Sequence, residues 1–274
     1  MGVGTGRRLA AVAVVGLLGF GVTACGGDDD PSDDGGSTTT EAAAGGEVEG
    51  TVTVLAAASL TDAFGDIKAD FEQANPDASV ELSFDGSSAL RDQITAGSPA
   101  DVFATASGSV MDDVVEAGAN DGEPQPFATN KLQIVVPAGN PGGVEGLDAF
   151  GDDSLLVGLC AEEVPCGDFG RQVLENAGVT PKEDTDEPDV RSLLDKVASG
   201  ELDVGLVYET DVLSAGDQVE GIDVPEEDNV VAKYPIAALT DAPNPDGAAA
   251  FVDYVLSDDG QAVLEEYAFG KSDA

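Results

Sequence analysis

The stretch TVTVLAAASLTDAF at residues 51–64 decides the fold. Its first five residues are β-branched or apolar, which predicts a short strand. Apolar side chains then follow the 3.6-residue spacing of a helix, at Leu60, Ala63, Phe64, Ile67 and Phe71. A strand that passes directly into a helix opens a βα unit, so the chain enters its folded part as an α/β protein.

The same alternation continues along the chain. Strand patterns at 80–84 and 101–104 are each followed by a helical pattern. Three successive strand–helix pairs predict a mostly parallel sheet flanked by helices. Residues 121–130 are rich in turn formers and predict a loop. Beyond this loop the chain predicts a second α/β lobe, with strands at 131–136, 155–159 and 204–208. An extended segment at 230–239 follows, and then two helices within 248–267, separated at 257–260, which we expect to pack back on the first lobe.

The first fifty residues follow a different pattern. Arg7 and Arg8 precede an apolar run, 9–22, that is shorter than the ~20 residues of a membrane span. We interpret residues 1–24 as a signal peptide. The sequence VTAC at 22–25 resembles a bacterial lipobox, which predicts acylation of Cys25 and anchoring to the outer face of the cell membrane; a plain signal peptide with an incidental cysteine is the alternative. Residues 25–50 predict a flexible tether.

Charge and the lack of histidine exclude several classes of protein. The chain holds 54 Asp+Glu against 11 Lys+Arg, a formal net charge of −43. Such acidity disfavours nucleic acid and anionic lipid head groups as partners. The sequence has no histidine, which excludes Ser-His-Asp triads, Cys-His dyads and His-based zinc sites. We expect no enzyme, no cofactor and no direct ligand of a metal cation.

Cys160 and Cys166 are the two cysteines that follow Cys25. In an exported protein such a pair predicts a disulfide, with a free pair or a redox motif as the alternative. The spacing is not C-x-x-C and no histidine is present to tune a thiolate, which disfavours a thiol oxidoreductase.

Six motifs in order along residues 51–270 carry a resemblance to a known family. They are AAASLTDAF at 56–64, FDGSSAL at 84–90, GSPADVF at 97–103, VPCG at 164–167, DVR at 189–191 and GLVY at 205–208. Together they resemble the molybdate-binding proteins, which are solute-binding subunits of ABC importers with the type II periplasmic binding-protein fold. The resemblance implies a ligand cleft between lobe I, residues 51–129 and 234–274, and lobe II, residues 130–233. It also implies capture of molybdate or tungstate and delivery to a membrane permease; we expect a monomer.

The resemblance implies a set of ligand-binding residues. In the family the oxyanion is held by donors at helix starts and by a tyrosine hydroxyl. Carried onto this sequence, these are Ser59 and Ser87, through hydroxyl and backbone N–H groups, the backbone N–H groups of Cys166 and Val190, and the Tyr208 hydroxyl. Cys166 departs from the family pattern, because a small residue such as alanine is common there.

The residues themselves support this assignment. A helix N-terminus presents unpaired N–H groups and a partial charge of about +0.5, so it accepts an anion without a cationic side chain. Ser59, with Asp62 three residues later, matches a capping box, and Ser87 has the same strand-to-helix placement. Taken singly, each serine is an ordinary cap and Tyr208 an ordinary core aromatic. Asp85 places a carboxylate near the anion, and we expect it to point to solvent.

Other functions stay open at this stage. Sulfate or a small organic anion would suit the same donors. Sulfate and molybdate both only accept hydrogen bonds, so the size of the cavity must separate them. A structural or adhesion lipoprotein that keeps only the fold is a third class.

Overall fold

Residues 48–272 are described by the structure, which is a computed structural model. The signal peptide, Cys25 and all but the last residues of the tether lie outside them and stay predictions. The strands are β1 Gly50–Ala57, β2 Ala78–Asp85, β3 Val102–Ala104, β4 Asn120–Pro137, β5 Val157–Cys160, β6 Thr185–Glu187, β7 Val204–Tyr208, β8 Val219–Asp223, β9 Val231–Leu239 and β10 Gly270–Lys271. The α-helices are α1 Thr61–Ala74, α2 Ser87–Thr95, α3 Gly108–Glu116, α4 Pro165–Asn176, α5 Val190–Ala198, α6 Glu209–Ala215, α7 Pro245–Leu256 and α8 Asp258–Glu266.

The strands form a mixed sheet in the order β2-β1-β3-β9-β4-β7-β5-β6, with β8 and β10 also paired to β4. Pairing is parallel among β2, β1 and β3 and among β6, β5 and β7. We call β2, β1, β3 and β9 the first half of the sheet and β7, β5, β6 and β8 the second half. The predicted α/β class is confirmed, whereas the lobe limits at 129/130 and 233/234 stay a prediction.

The predicted loop at 121–130 is wrong. These residues belong to β4, which pairs antiparallel with β9 over Asn120–Lys131 and with β7 and β8 over Leu132–Pro137. The register against β9 shifts between Asp121 and Gln125 and again between Pro126 and Ala128. Bulges of this kind admit Gly and Pro, which is why turn-forming residues persist inside a strand.

The C-terminal helices pack against the first half of the sheet, as predicted. The rings of Phe71 in α1 and Phe251 in α7 meet edge to face at 5.3 Å, and Phe64 lies 6.1 Å from Phe251. The helical break is narrower than predicted, since α7 ends at Leu256 and α8 begins at Asp258.

The first half of the sheet is covered on both faces. Val52 and Val54 of β1 point into the main core, whereas Leu55 joins a second cluster with Leu90 and Phe103. Alternate residues of a strand face opposite sides of its sheet, so helices are required on each. This leaves the carboxyl ends of the parallel strands as the open edge at which loops and helix starts gather.

Candidate functional site

One small cavity lies at the carboxyl ends of β1, β2, β5, β6 and β7. Its volume is about 20 Å³, and its lining includes all five sequence-predicted residues: Ser59, Ser87, Cys166, Val190 and Tyr208. The other lining residues are Ala57, Ala58, Asp85, Gly86, Ala106, Val164, Pro165 and Asp189. Within residues 48–272, no lysine or arginine lines this cavity. The structure therefore brings the predicted residues together around a space bounded by neutral donors and two carboxylates.

Backbone N–H groups reach the cavity from helix starts in both halves. Ser87 is the first residue of α2, Cys166 the second residue of α4 and Val190 the first residue of α5. Residues in the first turn of a helix have no acceptor four positions earlier within it, so their N–H groups are free to bind a ligand. Asp189 caps α5 by accepting from the N–H groups of Arg191 and Ser192 at 2.8 and 3.0 Å.

The Tyr208 hydroxyl is a buried donor on a residue that lines the cavity. Tyr208 ends β7, is 1% exposed, and its Oη is buried without a hydrogen-bond partner among the described residues. Burial raises the pKa of Tyr208 well above 10, so the group stays a neutral O–H donor. Buried polar groups are rarely left without a hydrogen-bond partner. A hydroxyl without one, on a residue that lines a cavity, indicates that a ligand atom accepts its hydrogen bond.

Ser59 does not cap α1, so the capping-box prediction is wrong. It lies in a 3₁₀ turn, Ala58–Leu60, ahead of α1. Its Oγ lies 2.9 Å from the hydroxyl of buried Tyr234. Asp62, expected to complete the box, pairs instead with Arg191 from the second half. The ion pair offers Asp62 a full charge, whereas the cap would offer only a backbone dipole.

The Ser87 hydroxyl is a further donor that is available to the cavity. Its Oγ accepts a hydrogen bond from the N–H of Ala106 at 3.2 Å. Because a hydroxyl carries one proton and has just accepted one bond, its own proton is available to the cavity. The strand-to-helix placement predicted for Ser87 is confirmed by β2 ending at Asp85 and α2 starting at Ser87.

The disulfide predicted between Cys160 and Cys166 is present. It joins the end of β5 to the first turn of α4 and both sulfurs are buried. Arg171 Nη1 donates to the Cys160 carbonyl at 2.7 Å, which ties the helix to the same strand end. The bridge therefore fixes the backbone that carries the Cys166 N–H.

Asp85 was expected to point to solvent, and the direction of its carboxylate stays a prediction. It is half-buried and lines the cavity. Its Oδ1 accepts from the N–H of Gly86 at 2.7 Å, a local turn that holds the carboxylate at the rim. Asp189, also in the lining, is saturated by N–H groups and by Ser192 Oγ at 2.7 Å.

Three contacts join the two halves beside the cavity. Ser88 Oγ donates to the Glu163 carbonyl at 2.5 Å. A β-carbon at Gly86 would lie 2.5 Å from the Pro188 carbonyl oxygen, so only glycine permits this approach. Arg191 pairs with Asp62, and its Nε lies 3.2 Å from Oδ1 of buried Asp211.

Tyr234, Asn130 and Arg191 are site neighbours that the sequence did not single out. Tyr234 and Asn130 lie on β9 and β4, far in sequence from Ser59, and no local pattern marks them. Arg191 stands inside the DVR motif, but only its neighbour Val190 was assigned a role. The available signal was a positively charged residue next to a predicted binding residue, in a chain that has few such residues. It could have pointed to Arg191.

Two general features of the described residues complete the picture. Between residues 48 and 272, no set of three His, Cys, Asp or Glu is placed to hold a metal ion. No helix in that range is both long and apolar enough to cross a membrane.

A flanked sheet whose strand ends and helix starts enclose a small cavity defines an α/β small-ligand-binding protein. The chain belongs to the bacterial extracellular solute-binding proteins, whose family model matches residues 52–270. It is 38% identical over 221 residues to the molybdate-binding protein ModA of Mycobacterium tuberculosis, covering 81% of this chain and 85% of that one.

Solved structures agree with this membership. The substrate-binding domain of a putative molybdenum ABC transporter from Clostridium difficile is 26% identical, with a TM-score of 0.62 over 81% of this chain and 99% of that one. The periplasmic molybdate-binding protein of Azotobacter vinelandii has a TM-score of 0.73 at 18% identity, over 81% of this chain and 99% of that one. At that identity the second likeness concerns the fold alone.

Proposed function

We propose that this protein is the substrate-binding component of an ABC importer and captures molybdate or tungstate in the cavity at the sheet edge. One observation carries the proposal: Ser59, Ser87, Tyr208 and the starts of α4 and α5 converge on one space that no described lysine or arginine lines. The similarity to ModA proteins supports the same ligand class.

The donor set suits a fully ionised tetrahedral anion. Each hydrogen bond to a charged oxygen contributes on the order of 1.5–3 kcal/mol, so several together replace the ion's hydration shell. A dianion such as molybdate only accepts, whereas hydrogen phosphate must also donate one proton. The cavity volume of about 20 Å³ is small, because a single water needs roughly 10–15 Å³ in the same measure. It therefore suits a small ion.

The rest of the proposal concerns where the protein acts. We propose a monomer, tethered through acylated Cys25 to the outer face of the membrane, that delivers its ligand to the permease and carries out no catalysis. Closure of the two lobes on the ligand, with limits at 129/130 and 233/234, would produce the form that docks. The single disulfide and the lack of histidine support a binding role over a thiol oxidoreductase.

Calorimetry with molybdate, tungstate, sulfate and phosphate tests the proposal. We expect molybdate and tungstate to bind most tightly, and Ser59→Ala/Ser87→Ala to weaken molybdate by about 1–3 kcal/mol for each hydroxyl removed. Ser98→Ala is the matched control, because Ser98 is exposed and its hydroxyl makes no hydrogen bond among residues 48–272. Preferred binding of phosphate would contradict the proposal and would make Asp85 an acceptor for a protonated ligand.

A further inference from the structure

Tyr234 touches the predicted site without lining it. Its side chain is 0% exposed, and its hydroxyl oxygen lies 2.9 Å from Ser59 Oγ. On its other side the same oxygen lies 3.4 Å from Nδ2 of buried Asn130. The cavity serine is therefore the end of a chain of three polar side chains that starts in β4.

The direction of this chain follows from the backbone. The N–H of Lys131 can only donate, and it donates to Asn130 Oδ1 at 2.9 Å. The amide is thereby fixed with Nδ2 on the opposite side, where it also donates to Thr210 Oγ1 at 2.9 Å. Nδ2 carries no lone pair, so the oxygen of Tyr234 accepts from it.

The remaining protons are then assigned in sequence. Either hydroxyl of the Ser59–Tyr234 pair could donate; because the Tyr234 oxygen already accepts from Asn130, we assign its own proton to Ser59 Oγ. Ser59 then accepts that hydrogen bond and keeps its own proton to donate, and Ser59 lines the cavity. Burial raises the pKa of Tyr234 above its usual value of 10, so the hydroxyl keeps its proton.

We propose that Tyr234 and Asn130 are positioning residues which hold the Ser59 hydroxyl as a donor to the ligand and so select acceptor-only dianions over protonated oxyanions. The inference rests on the proposed function, because it assigns specificity to that same cavity. A free serine hydroxyl would rotate and accept from a protonated ligand as readily as it donates. A serine that accepts from Tyr234 has its own proton turned away from Tyr234 and towards the cavity. That proton would face the proton of hydrogen phosphate, which penalises this ligand.

The test is a double-mutant cycle of Tyr234→Phe and Ser59→Ala, with molybdate and phosphate affinities measured by calorimetry. We expect Tyr234→Phe to weaken molybdate about three- to tenfold and to leave phosphate unchanged or tighter. In the Ser59→Ala background, Tyr234→Phe should change molybdate affinity by less than about twofold, because its effect passes through the serine.

Two further variants keep the result decisive. Asn130→Ala removes the donor that orients Tyr234, so it should lower the molybdate-to-phosphate ratio in the same direction even where Tyr234→Phe folds poorly. Tyr254→Phe is the matched control, since Tyr254 is half-buried in α7 and does not line the cavity. It should leave both affinities unchanged.

The outcomes separate this inference from the proposed function. A wild-type protein that binds none of the oxyanions would remove the proposed function itself. Tight molybdate binding with additive effects of Tyr234→Phe and Ser59→Ala, or an unchanged ratio in both the Tyr234 and Asn130 variants, would overturn the positioning role alone.

Discussion

Under the proposed function, Tyr208 serves ligand binding at a cost to folding. Its hydroxyl is buried with no partner among the described residues, and leaving such a group unpaired costs about 1–3 kcal/mol. Tyr208 lines the cavity, and its hydroxyl stays protonated because burial raises its pKa. Stability of the empty protein and affinity for the ligand therefore make opposite demands on this atom.

Tyr208→Phe should separate these two demands. We expect the free energy of unfolding without ligand to stay level or to rise by up to about 1–3 kcal/mol, while molybdate binding weakens by about 1.5–3 kcal/mol. Chemical denaturation and calorimetry measure the two quantities. A variant that loses stability and keeps its affinity would show that the hydroxyl serves the core and not the ligand.

Asp211 links the site to pH. It is 0% exposed, its Oδ2 accepts from the N–H of Tyr208 at 3.1 Å, and burial raises its pKa from 3.8 to about 7. Between these two values the folded protein retains a proton that the unfolded chain has released. The contribution of Asp211 to stability therefore falls as the pH rises from 3.8 to about 7 and is constant on either side.

Asp211→Asn removes this titration. The free energy of unfolding of wild type minus that of the variant should decline from pH about 4 to pH about 7 and then level off. Taking the difference cancels the repulsion among the other carboxylates, which is common to both proteins. Denaturant titrations across this range measure it, and a difference that rises with pH would mean that Arg191 dominates over burial.

At the scale of elements, one ion pair made by an arginine connects α1 and α5 beside the cavity. Arg191, in the first turn of α5, pairs with Asp62 in the first turn of α1 and contacts Asp211 at the start of α6. Among the ion pairs of residues 48–272, the Asp62–Arg191 pair alone joins the two halves of the sheet. Its effect should appear in the closed arrangement of the halves and not in the stability of either.

Asp62→Asn tests this effect. The side chains of Asp62 and Arg191 are 41% and 25% exposed, so the pair is worth only about 0.2–1 kcal/mol. We expect molybdate affinity to fall by that amount, mainly through faster dissociation. Asp112→Asn is the control with the same change of charge, because Asp112 is exposed on α3 and is unpaired within the described residues. Equal effects of both variants would point to overall charge instead of the pair.

At the scale of the whole molecule, the formal net charge of −43 opposes the approach of an anion. The repulsion is long-ranged at low salt, since the screening length is about 30 Å at 0.01 M and about 8 Å at 0.15 M. The cavity donors act at contact distances, where screening has little influence. Charge should therefore control how fast the ligand arrives, and hydrogen bonds how long it stays.

Stopped-flow mixing over a range of salt concentrations checks this division. The association rate constant for molybdate should rise with ionic strength and reach a plateau, while the dissociation rate constant changes little. The chain has four tyrosines and no tryptophan, so the fluorescence of Tyr208 in the cavity is a usable signal. An association rate that falls with salt would mean that the partial positive charge of the helix starts outweighs the net negative charge of the chain.

The sequence alone predicted the α/β class and favoured the disulfide, and the family resemblance of its motifs implied the grouping of Ser59, Ser87, Cys166, Val190 and Tyr208. These depend on local patterns, namely hydrophobic period, strand-to-helix junctions and short motifs, which are legible within a few residues. The turn formers of β4 misled the prediction for a related reason. Bulges and a long antiparallel partner, not local preference, keep residues 121–130 extended.

Only the tertiary structure decided the partners of the site residues. Ser59 was expected to cap its own helix with Asp62, yet it bonds Tyr234, 175 positions later, and Asp62 pairs 129 positions away. Asp85 likewise lies on the cavity wall because the start of α2 is drawn against the second half. A side chain's partner is fixed by which strands the sheet places side by side, and that adjacency has no signature in the neighbouring sequence.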